Sequence, residues 1–155
     1  MNTTFKPAAR ADVDLLVRFM CELYEHDHLP FDEAAARQAM EKILQDHSLG
    51  RVWLIQDGEQ AIGYVVLTLG YSLEYHGRDA FIDEIYIRES HRGKGIGIQI
   101  IQFVEEVCRE LSVRALHLEV ERANIKAQAF YHKAGFEDHD RYLLTKLFTE
   151  RKASV

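Results

Sequence analysis

The most informative segment of this 155-residue chain is Arg92-Gly93-Lys94-Gly95-Ile96-Gly97. It follows an apolar run typical of a strand, Phe81 to Ile87, and precedes an apolar run with helical spacing, Ile98 to Leu111. Glycines at alternate positions leave a short loop without side chains, so that its backbone N–H groups can turn inward around an anion. The N-terminus of the helix adds unpaired N–H groups and the positive end of its dipole. This order of elements predicts a phosphate or diphosphate site.

The spacing of these glycines excludes two common phosphate-binding motifs. The loop of the nucleotide hydrolases needs Gly-Lys-Ser or Gly-Lys-Thr, and neither occurs in the chain. The dinucleotide fingerprint needs G-x-G-x-x-G, whereas here the third glycine comes one residue early and position 98 is Ile. The pattern that is present is Arg/Gln-x-x-Gly-x-Gly/Ala, filled by Arg92, Gly95 and Gly97.

A second pattern lies about one helix downstream. The run Ala115 to Glu121 alternates apolar and polar residues as a strand does. Asn124 follows, then a helical run from Ala127 to Ala134, then Gly135-Phe136, giving L-E-V-x-x-x-N-x-x-A-x-x-F-Y-x-x-x-G-F. Taken together, the two segments resemble the diphosphate signature and the second conserved segment of the GNAT superfamily of acyl-CoA N-acyltransferases. The resemblance is strong from about Asp79 to Phe136 and weaker from Phe5 to Leu69.

The order of apolar patterns predicts an α/β (α+β) fold. Strands and helices follow one another as β-α-α-β-β-β-α-β-α, with two final strands around Glu137 to Asp140 and Tyr142 to Phe148. Asp12 and Asp32 are predicted to cap the first two helices, and Gly70 to Arg78 is predicted to be a loop. The resemblance implies the same order: a mixed, mostly antiparallel sheet of six to seven strands with helices on both faces, in one domain that spans residues 1–155.

Composition limits the classes of function. A hydrophobic content of 47% indicates a globular protein, and a net charge of -6 argues against a nucleic-acid surface and fits a cationic or amine-bearing substrate. No apolar run is long enough for a membrane span, and no secretory signal is visible. The chain has two cysteines, Cys21 and Cys108, which we interpret as reduced core thiols of a cytoplasmic protein. The histidines show no metal-ligand spacing, so no metal site is predicted.

The resemblance implies transfer of an acetyl group from acetyl-CoA to a primary amine of a small molecule or peptide, by direct attack. An alkylammonium has a pKa of roughly 10, so the site needs a base to free the amine. It also needs a donor for the oxyanion and an acid for the departing thiolate. For the acid we choose Tyr131, which stands where the family has its conserved tyrosine. The alternative is a core tyrosine, although Phe130 is the better core candidate.

Three carboxylates are candidates for the base. Glu119 precedes Tyr131 by twelve residues, an offset that resembles the base–acid pair of the ribosomal-protein N-acetyltransferases. Asp83 matches the polyamine and aminoglycoside acetyltransferases, and Glu84 is its neighbour. Because strand side chains alternate, we expect at most one of Asp83 and Glu84 to face the cleft. For each carboxylate, a structural ion pair or a contact to the substrate ammonium is the alternative role.

The resemblance also implies how acetyl-CoA is held. The pantetheine arm would pair with the backbone of β-strand residues before the glycine loop, where this strand splays from the next one, and an N–H near Ile87 would serve the oxyanion. The diphosphate would rest on the loop. Arg92 and Lys94 are alternatively solvent-exposed, and Asn124 is alternatively a turn residue. The cofactor-binding residues implied are Ile85, Tyr86, Ile87, Arg92, Gly93, Lys94, Gly95, Ile96, Gly97, Asn124 and Tyr131.

The acceptor amine and the assembly are less defined by the sequence. Two helices and the polar loop before the central strand are expected to shape the amine pocket, with candidates Tyr24, Glu25, His26, His28, Tyr75 and His76. The resemblance suggests a homodimer. The competing function is a non-catalytic acyl-CoA-binding regulatory module on the same fold.

Overall fold

The computed structural model describes residues 2–149, which form five strands, four α-helices and two short 3₁₀ helices. The strands are β1 (Thr3–Pro7), β2 (Gly50–Asp57), β3 (Gln60–Ser72), β4 (Gly77–Ile87) and β5 (Ala115–His117). The helices are α1 (Val13–His26), α2 (Glu33–Gln45), α3 (Ile96–Glu110) and α4 (Ile125–Lys133). The 3₁₀ helices span Arg10–Asp12 and Glu89–His91.

The strands form one sheet in the order β1-β2-β3-β4-β5. Pairing is antiparallel from β1 to β4, and β5 joins β4 in parallel after the α3 crossover. A tight turn at Gly58, whose φ is 62°, links β2 to β3. The predicted mixed, mostly antiparallel sheet is confirmed, with five strands among the described residues instead of six to seven.

Helices cover both faces of the sheet, as predicted. Alternate side chains of each strand point to opposite faces, and each face packs against its own pair of helices. One core lies between the sheet, α3 and α4 and includes Ile55, Ile62, Leu67, Ile100 and Val104. The other lies between the sheet, α1 and α2 and includes Leu16, Phe19, Met40, Leu54 and Tyr64. None of the helices between residues 2 and 149 is long and apolar enough to cross a membrane.

The helix caps differ in part from the expectation. The Asp32 carboxylate accepts from the Ala35 N–H at 3.3 Å and caps α2 as predicted. Asp12 makes no side-chain bond to the start of α1; its carboxylate accepts from the Ala9 N–H at 2.8 Å instead. It therefore stabilises the 3₁₀ turn that leads into α1.

The predicted loop from Gly70 to Arg78 is wrong, because β3 continues to Ser72 and β4 begins at Gly77. Cross-strand pairs such as Gly70 with Asp79 and Tyr71 with Arg78 extend the hairpin. Antiparallel pairing with a neighbour thus overrides the polar local composition.

The two final strands, predicted around Glu137 to Asp140 and Tyr142 to Phe148, are also wrong, since residues 137–149 contain no strand. A strand needs a neighbouring edge, and β5 contributes only three residues to its ladder. Side chains hold the segment instead: both guanidinium nitrogens of Arg141 bind the Glu74 carboxylate, at 2.8 and 2.9 Å. Five large apolar side chains that follow are exposed: Tyr142, Leu143, Leu144, Leu147 and Phe148.

Both cysteines are free thiols, as expected, but only Cys108 belongs to the core. Cys21 is exposed on α1, so its assignment to the core was wrong. Its neighbour Met20 takes the buried position on this turn of the helix. Burial raises the pKa of the Cys108 thiol to about 11.

Candidate functional site

The centre of the candidate site is the place where β4 and β5 separate. The two strands pair only from Asp79 to Phe81, opposite Ala115 to His117. From Glu84 to Ile87, β4 is paired with β3 on one side and has no ladder partner on the other side among residues 2–149. This open edge corresponds to the splay that the sequence resemblance implies for a pantetheine arm, because backbone groups without a ladder partner can bind an extended amide chain.

The glycine loop lies directly after this edge. Gly93 and Gly95 have φ values of 75° and 78°, a left-handed conformation that side chains disfavour. A Cβ at either position would meet no atom within 4 Å, so the space beside the loop at these two residues is open. Gly95 is the N-cap of α3 and provides no side-chain cap, which leaves the first N–H groups of the helix available. The loop therefore fits a diphosphate.

Gly97 has a different role from the one expected. A Cβ at this position would lie 3.1 Å from Cζ of Phe130, on α4. The absence of a side chain thus allows α4 to pack closely against the first turn of α3. The missing side chain of Gly97 therefore serves helix packing, whereas its backbone N–H still belongs to the first turn of α3.

Arg92 ties the loop to the end of β4. Its Nε donates to the carbonyl oxygen of Ile87 at 2.7 Å, and its guanidinium lies 5.6 Å from the centre of the Tyr86 ring. The residue is exposed, as its alternative role predicts, and these two contacts hold its side chain beside the loop. Lys94 is exposed within the same loop, so two positive charges lie at the candidate anion site.

A β-bulge in β4 changes the geometry of the central carboxylates. Val66 of β3 pairs with Glu84 and Leu67 pairs with Ile82, so that Asp83 has no opposing residue. Strict side-chain alternation does not extend across a bulge, so the expectation that at most one of Asp83 and Glu84 faces the cleft no longer follows from their adjacent positions. The charge of Asp83 acts on its neighbours, because it contributes to raising the pKa values of Glu84 and Tyr64.

Glu84 is held by two phenols. The Tyr64 hydroxyl on β3 donates to one carboxylate oxygen at 2.8 Å, and the Tyr24 hydroxyl on α1 donates to the other. Burial raises the pKa of the Glu84 carboxyl, and the two hydrogen bonds oppose this rise without cancelling it. Asp83 is more exposed, yet desolvation raises the pKa of its carboxyl too. Both groups are suited to exchange a proton at a higher pH than an ordinary carboxyl.

Glu119, the third carboxylate, lies just past the end of β5 and is exposed. Its neighbour Leu118 packs into the core beneath α3 and α4. In an extended chain, adjacent side chains point to opposite faces, so Glu119 belongs to the α1 side of the sheet. This is also the side of Glu84, whose strand partner Val66 packs in the core beneath α1.

Tyr131 is half-buried on α4. Its ring packs edge-on against Phe130 and Phe136, with centroids 5.2 and 5.7 Å away. Burial raises the pKa of its phenol, which keeps the hydroxyl protonated at neutral pH. Phe130 is the expected core residue of the pair, and its ring does contact the core cluster. The Tyr131 ring contacts this cluster as well, so the expectation holds in part.

Asn124 caps α4, because its side-chain oxygen accepts from the Ala127 N–H at 3.1 Å. The alternative role of Asn124, as a turn residue before the helix, is therefore supported by this hydrogen bond. Its amide NH₂ group is a separate donor and is compatible with a second contact.

The expected amine-pocket residues divide into two groups. Tyr24 reaches Glu84, and the Tyr75 ring packs 5.3 Å from the ring of His117 on β5. The others are exposed near the ends of α1 and β4: Glu25, His26, His28 and His76. The sequence reasoning missed Tyr64, for which the signal was a tyrosine inside the apolar run Ala61 to Leu69, since a buried phenol needs a partner. No group of three or more potential ligands capable of holding a metal occurs within residues 2–149.

Comparisons with known proteins agree on the family. The family model described as acetyltransferase (GNAT) family matches residues 17–136. The thialysine N-epsilon-acetyltransferase of Bos taurus is 28% identical over 142 residues, covering 86% of this chain and 83% of the relative. An integron cassette protein from the mobile metagenome of Cole Harbour Salt Marsh superimposes with a TM-score of 0.84 at 38% identity, covering 95% of this chain and 91% of the other. A predicted acetyltransferase from Clostridium acetobutylicum, solved with acetyl-CoA, shares the fold with a TM-score of 0.78 at 18% identity, covering 94% and 96%.

Proposed function

Because the chain belongs to the acetyltransferase (GNAT) family, we propose that this acetyl-CoA-dependent N-acetyltransferase acts on a primary amine of a small molecule or peptide. The observation that carries the proposal is the open edge of β4. The glycine loop follows this edge and leads into α3, which has no side-chain cap, and the same strand contains Asp83 and Glu84. A binding edge, an anion cup and carboxylates with raised pKa values are the parts that acetyl transfer to an amine requires.

Acetyl-CoA, when bound, supplies a thioester carbonyl that is activated for attack by an amine. The chain's own contribution begins with orientation: the backbone of Ile85, Tyr86 and Ile87 binds the pantetheine amides, and an N–H near Ile87 donates to the carbonyl oxygen. The amides of residues 93–97, with Arg92 and Lys94 beside them, hold the diphosphate. The NH₂ group of Asn124 adds a polar contact.

We assign the base to Glu84. Its raised pKa and its position on the α1 side of the sheet suit it to take a proton from an ammonium, directly or through water. The two phenols hold the carboxylate in one orientation. Asp83 acts as its electrostatic partner, because one negative charge beside another favours protonation of either group. Glu119 is the second candidate for the base, since it lies on the same side of the sheet.

Tyr131 is the proposed acid. Its phenol stays protonated at neutral pH, and it lies on α4, which packs against the start of α3 through Gly97 and Phe130. This packing links the acid to the loop that would hold the diphosphate. The phenol is therefore suited to donate a proton to the departing thiolate, and it also contacts the cofactor in this role.

The acceptor is proposed to be a small cationic amine. The name of the bovine relative refers to acetylation of the ε-nitrogen of thialysine, a primary amine on a flexible chain. The carboxylates on β4 and the net charge of -6 suit such an acceptor, since an ammonium is attracted to carboxylates before it loses its proton.

We also propose a cytoplasmic homodimer. Two free thiols suit a reducing compartment. The exposed apolar side chains from Tyr142 to Phe148 are 56–92% accessible, and a second copy of the chain would remove them from water. Sedimentation of the wild type and of Leu144→Glu tests this point, with a dimer expected only for the wild type.

The decisive experiment for the activity mixes the purified protein with acetyl-CoA and a panel of polyamines, aminoglycosides, amino acids and N-terminal peptides. Mass spectrometry of the acceptors should show a single added acetyl group on an amine. Gly95→Glu is the control, because a carboxylate in the anion cup should prevent binding of CoA. Binding of CoA without acetylation of any amine would favour the regulatory module instead.

A further inference from the structure

The strand register places a second group of polar and aromatic residues on the acceptor side of the sheet. Directly paired residues in a sheet share a face. On β3, positions 64, 66, 68 and 70 alternate regularly, and they pair with Tyr86, Glu84, Phe81 and Asp79. Asp79 and Phe81 therefore lie on the same face as Glu84, in spite of the bulge at Asp83. His117 of β5 pairs with Phe81 and joins this face.

These residues form one cluster, which we call the distal cluster: Asp79, Phe81, His117 and Tyr75. The Asp79 carboxylate lies 3.2 Å from Nε2 of His117, and the His117 ring lies 4.9 Å from Phe81 and 5.3 Å from Tyr75. Space for the Asp79 side chain comes from Gly70, where a Cβ would lie 2.7 Å from its Oδ1. The His117 ring is thus the centre of the cluster, since it contacts the Asp79 carboxylate and both of the other rings.

The distal cluster is open to solvent on one side. Phe81 is 39% exposed, whereas the Asp79 and His117 side chains are 17% and 20% exposed. A partly exposed aromatic ring near a largely buried carboxylate attracts a cation through the ring quadrupole and the negative charge. The nearby cation Arg141 is engaged by both oxygens of Glu74 and is thereby neutralised.

We infer that the distal cluster is a specificity subsite that binds a second cationic group of the acceptor, so that the preferred substrates are linear diamines or polyamines. The inference rests on the proposed function, since it assumes that the reacting amine lies near Glu84. Asp79 and Glu84 pair with Gly70 and Val66, which are four residues apart on β3, and this separation corresponds to about 13 Å along an extended strand. An acceptor that follows β4 would place one nitrogen at the central carboxylates and another at the rings.

The alternative is that Asp79 and His117 only stabilise the junction of β4 and β5. A purely structural pair would affect all acceptors equally. A subsite would affect only acceptors long enough to reach it, and this difference makes the two roles separable by kinetics.

The test compares α,ω-diaminoalkanes, from the propane to the dodecane compound, with monoalkylamines of the same lengths. For the wild type, kcat/KM should rise among the diamines once the second ammonium reaches the cluster, beyond any rise in the monoamine series. Asp79→Asn and Phe81→Leu should each lower kcat/KM for the long diamines about five- to tenfold and leave the monoamines within about twofold. Glu59→Gln, in the turn between β2 and β3, makes the same charge change remote from the face and should have no effect.

Calorimetry of a long diamine with the CoA-bound protein provides a second measurement, in which Asp79→Asn should weaken binding by a similar factor. If monoamines and diamines of equal length are acetylated equally well, or if Asp79→Asn affects both equally, the subsite is refuted while the acetyltransferase function stands. If no amine of either series is acetylated while another acceptor of the panel is, the inference fails and the acetyltransferase function stands; if no amine of the panel is acetylated either, both fail.

Discussion

The Glu84 carboxylate on β4 accepts a hydrogen bond at 2.8 Å from the Tyr64 hydroxyl on the neighbouring strand, β3. Val66, the residue directly opposite Glu84, and Tyr64 both belong to the core beneath α1 and α2. The carboxylate is therefore placed at the border of an apolar core, where ionisation is costly unless donors compensate. Tyr24 supplies the second donor and connects α1 to the central strand.

The position of Glu84 predicts a pH dependence of stability. Its folded-state pKa lies above its ordinary value of 4.5, so in the interval between the two values the folded protein binds more protons than the unfolded chain. The free energy of unfolding should therefore fall as pH rises through this interval, and Asp83, also raised, acts in the same direction. Urea unfolding at a series of pH values between about 4.5 and 7 measures this slope.

In Glu84→Gln the free energy of unfolding should fall less as pH rises, because the amide has no charge to desolvate. Glu59→Gln should show the same dependence on pH as the wild type. A Glu84→Gln protein whose stability varies with pH as steeply as the wild type would show that Glu84 titrates normally.

The catalytic roles of the carboxylates can be distinguished by the pH dependence of kcat/KM. If Glu84 is the base, its protonation produces the acidic limb of the kcat/KM profile, with an apparent pKa above 4.5. Glu84→Gln should lower kcat/KM by about 10² or more and remove this limb. Asp83→Asn should shift the limb to lower pH, because removal of a neighbouring negative charge favours ionisation of Glu84. A limb that disappears only in Glu119→Gln would transfer the role of base to Glu119.

Tyr131→Phe isolates the proposed acid. The substitution removes one hydroxyl and keeps the ring that packs against Phe130 and Phe136. We expect kcat to fall by about 10², while the affinity for CoA measured by calorimetry changes by less than about threefold. Phe136→Leu is a packing control on the same cluster, and it should affect stability more than kcat. Wild-type turnover in Tyr131→Phe would exclude this residue from proton transfer.

Much of this architecture could be predicted from local sequence. The order of elements from β1 to α4 follows from apolar periodicity, and the cap at Asp32 follows from residue type. The wrong predictions have a common physical origin, because they concern segments whose structure depends on pairing with a distant strand. Continued pairing with β4 extends β3 to Ser72 through a segment whose composition is that of a loop, whereas the apolar run near Phe148 forms no strand without a neighbouring edge.

The candidate site also combines features that local sequence reveals with features that depend on long-range strand pairing. The glycine loop could be identified from its spacing, and Tyr131 from the resemblance to the family. The bulge at Asp83 could not, because it exists only in the register between β3 and β4, and with it the shared face of Glu84, Phe81 and Asp79 remained hidden.

The different roles of Gly95 and Gly97 give a final prediction. Both belong to the sequence motif, but only Gly95 has a left-handed backbone, and only Gly97 faces a neighbouring ring. Gly95→Ala should cost about 1–2 kcal/mol of stability through backbone strain, and Gly95→Glu should abolish CoA binding by placing a carboxylate in the cup. Gly97→Ala lies in a helix, where alanine alone would stabilise by about 1 kcal/mol, but its Cβ meets Phe130 at 3.1 Å.

The contact at Gly97 can be measured by a double-mutant cycle with Phe130→Leu. The free energy of unfolding should show a favourable coupling of about 0.5–1 kcal/mol, because the smaller side chain makes room for the added methyl group. CoA affinity should stay within about threefold in Gly97→Ala, since the anion cup is untouched. Additive effects in the cycle, together with loss of CoA binding in Gly97→Ala, would instead show that the missing side chain of Gly97 makes room for the cofactor, as at Gly95, and not for α4.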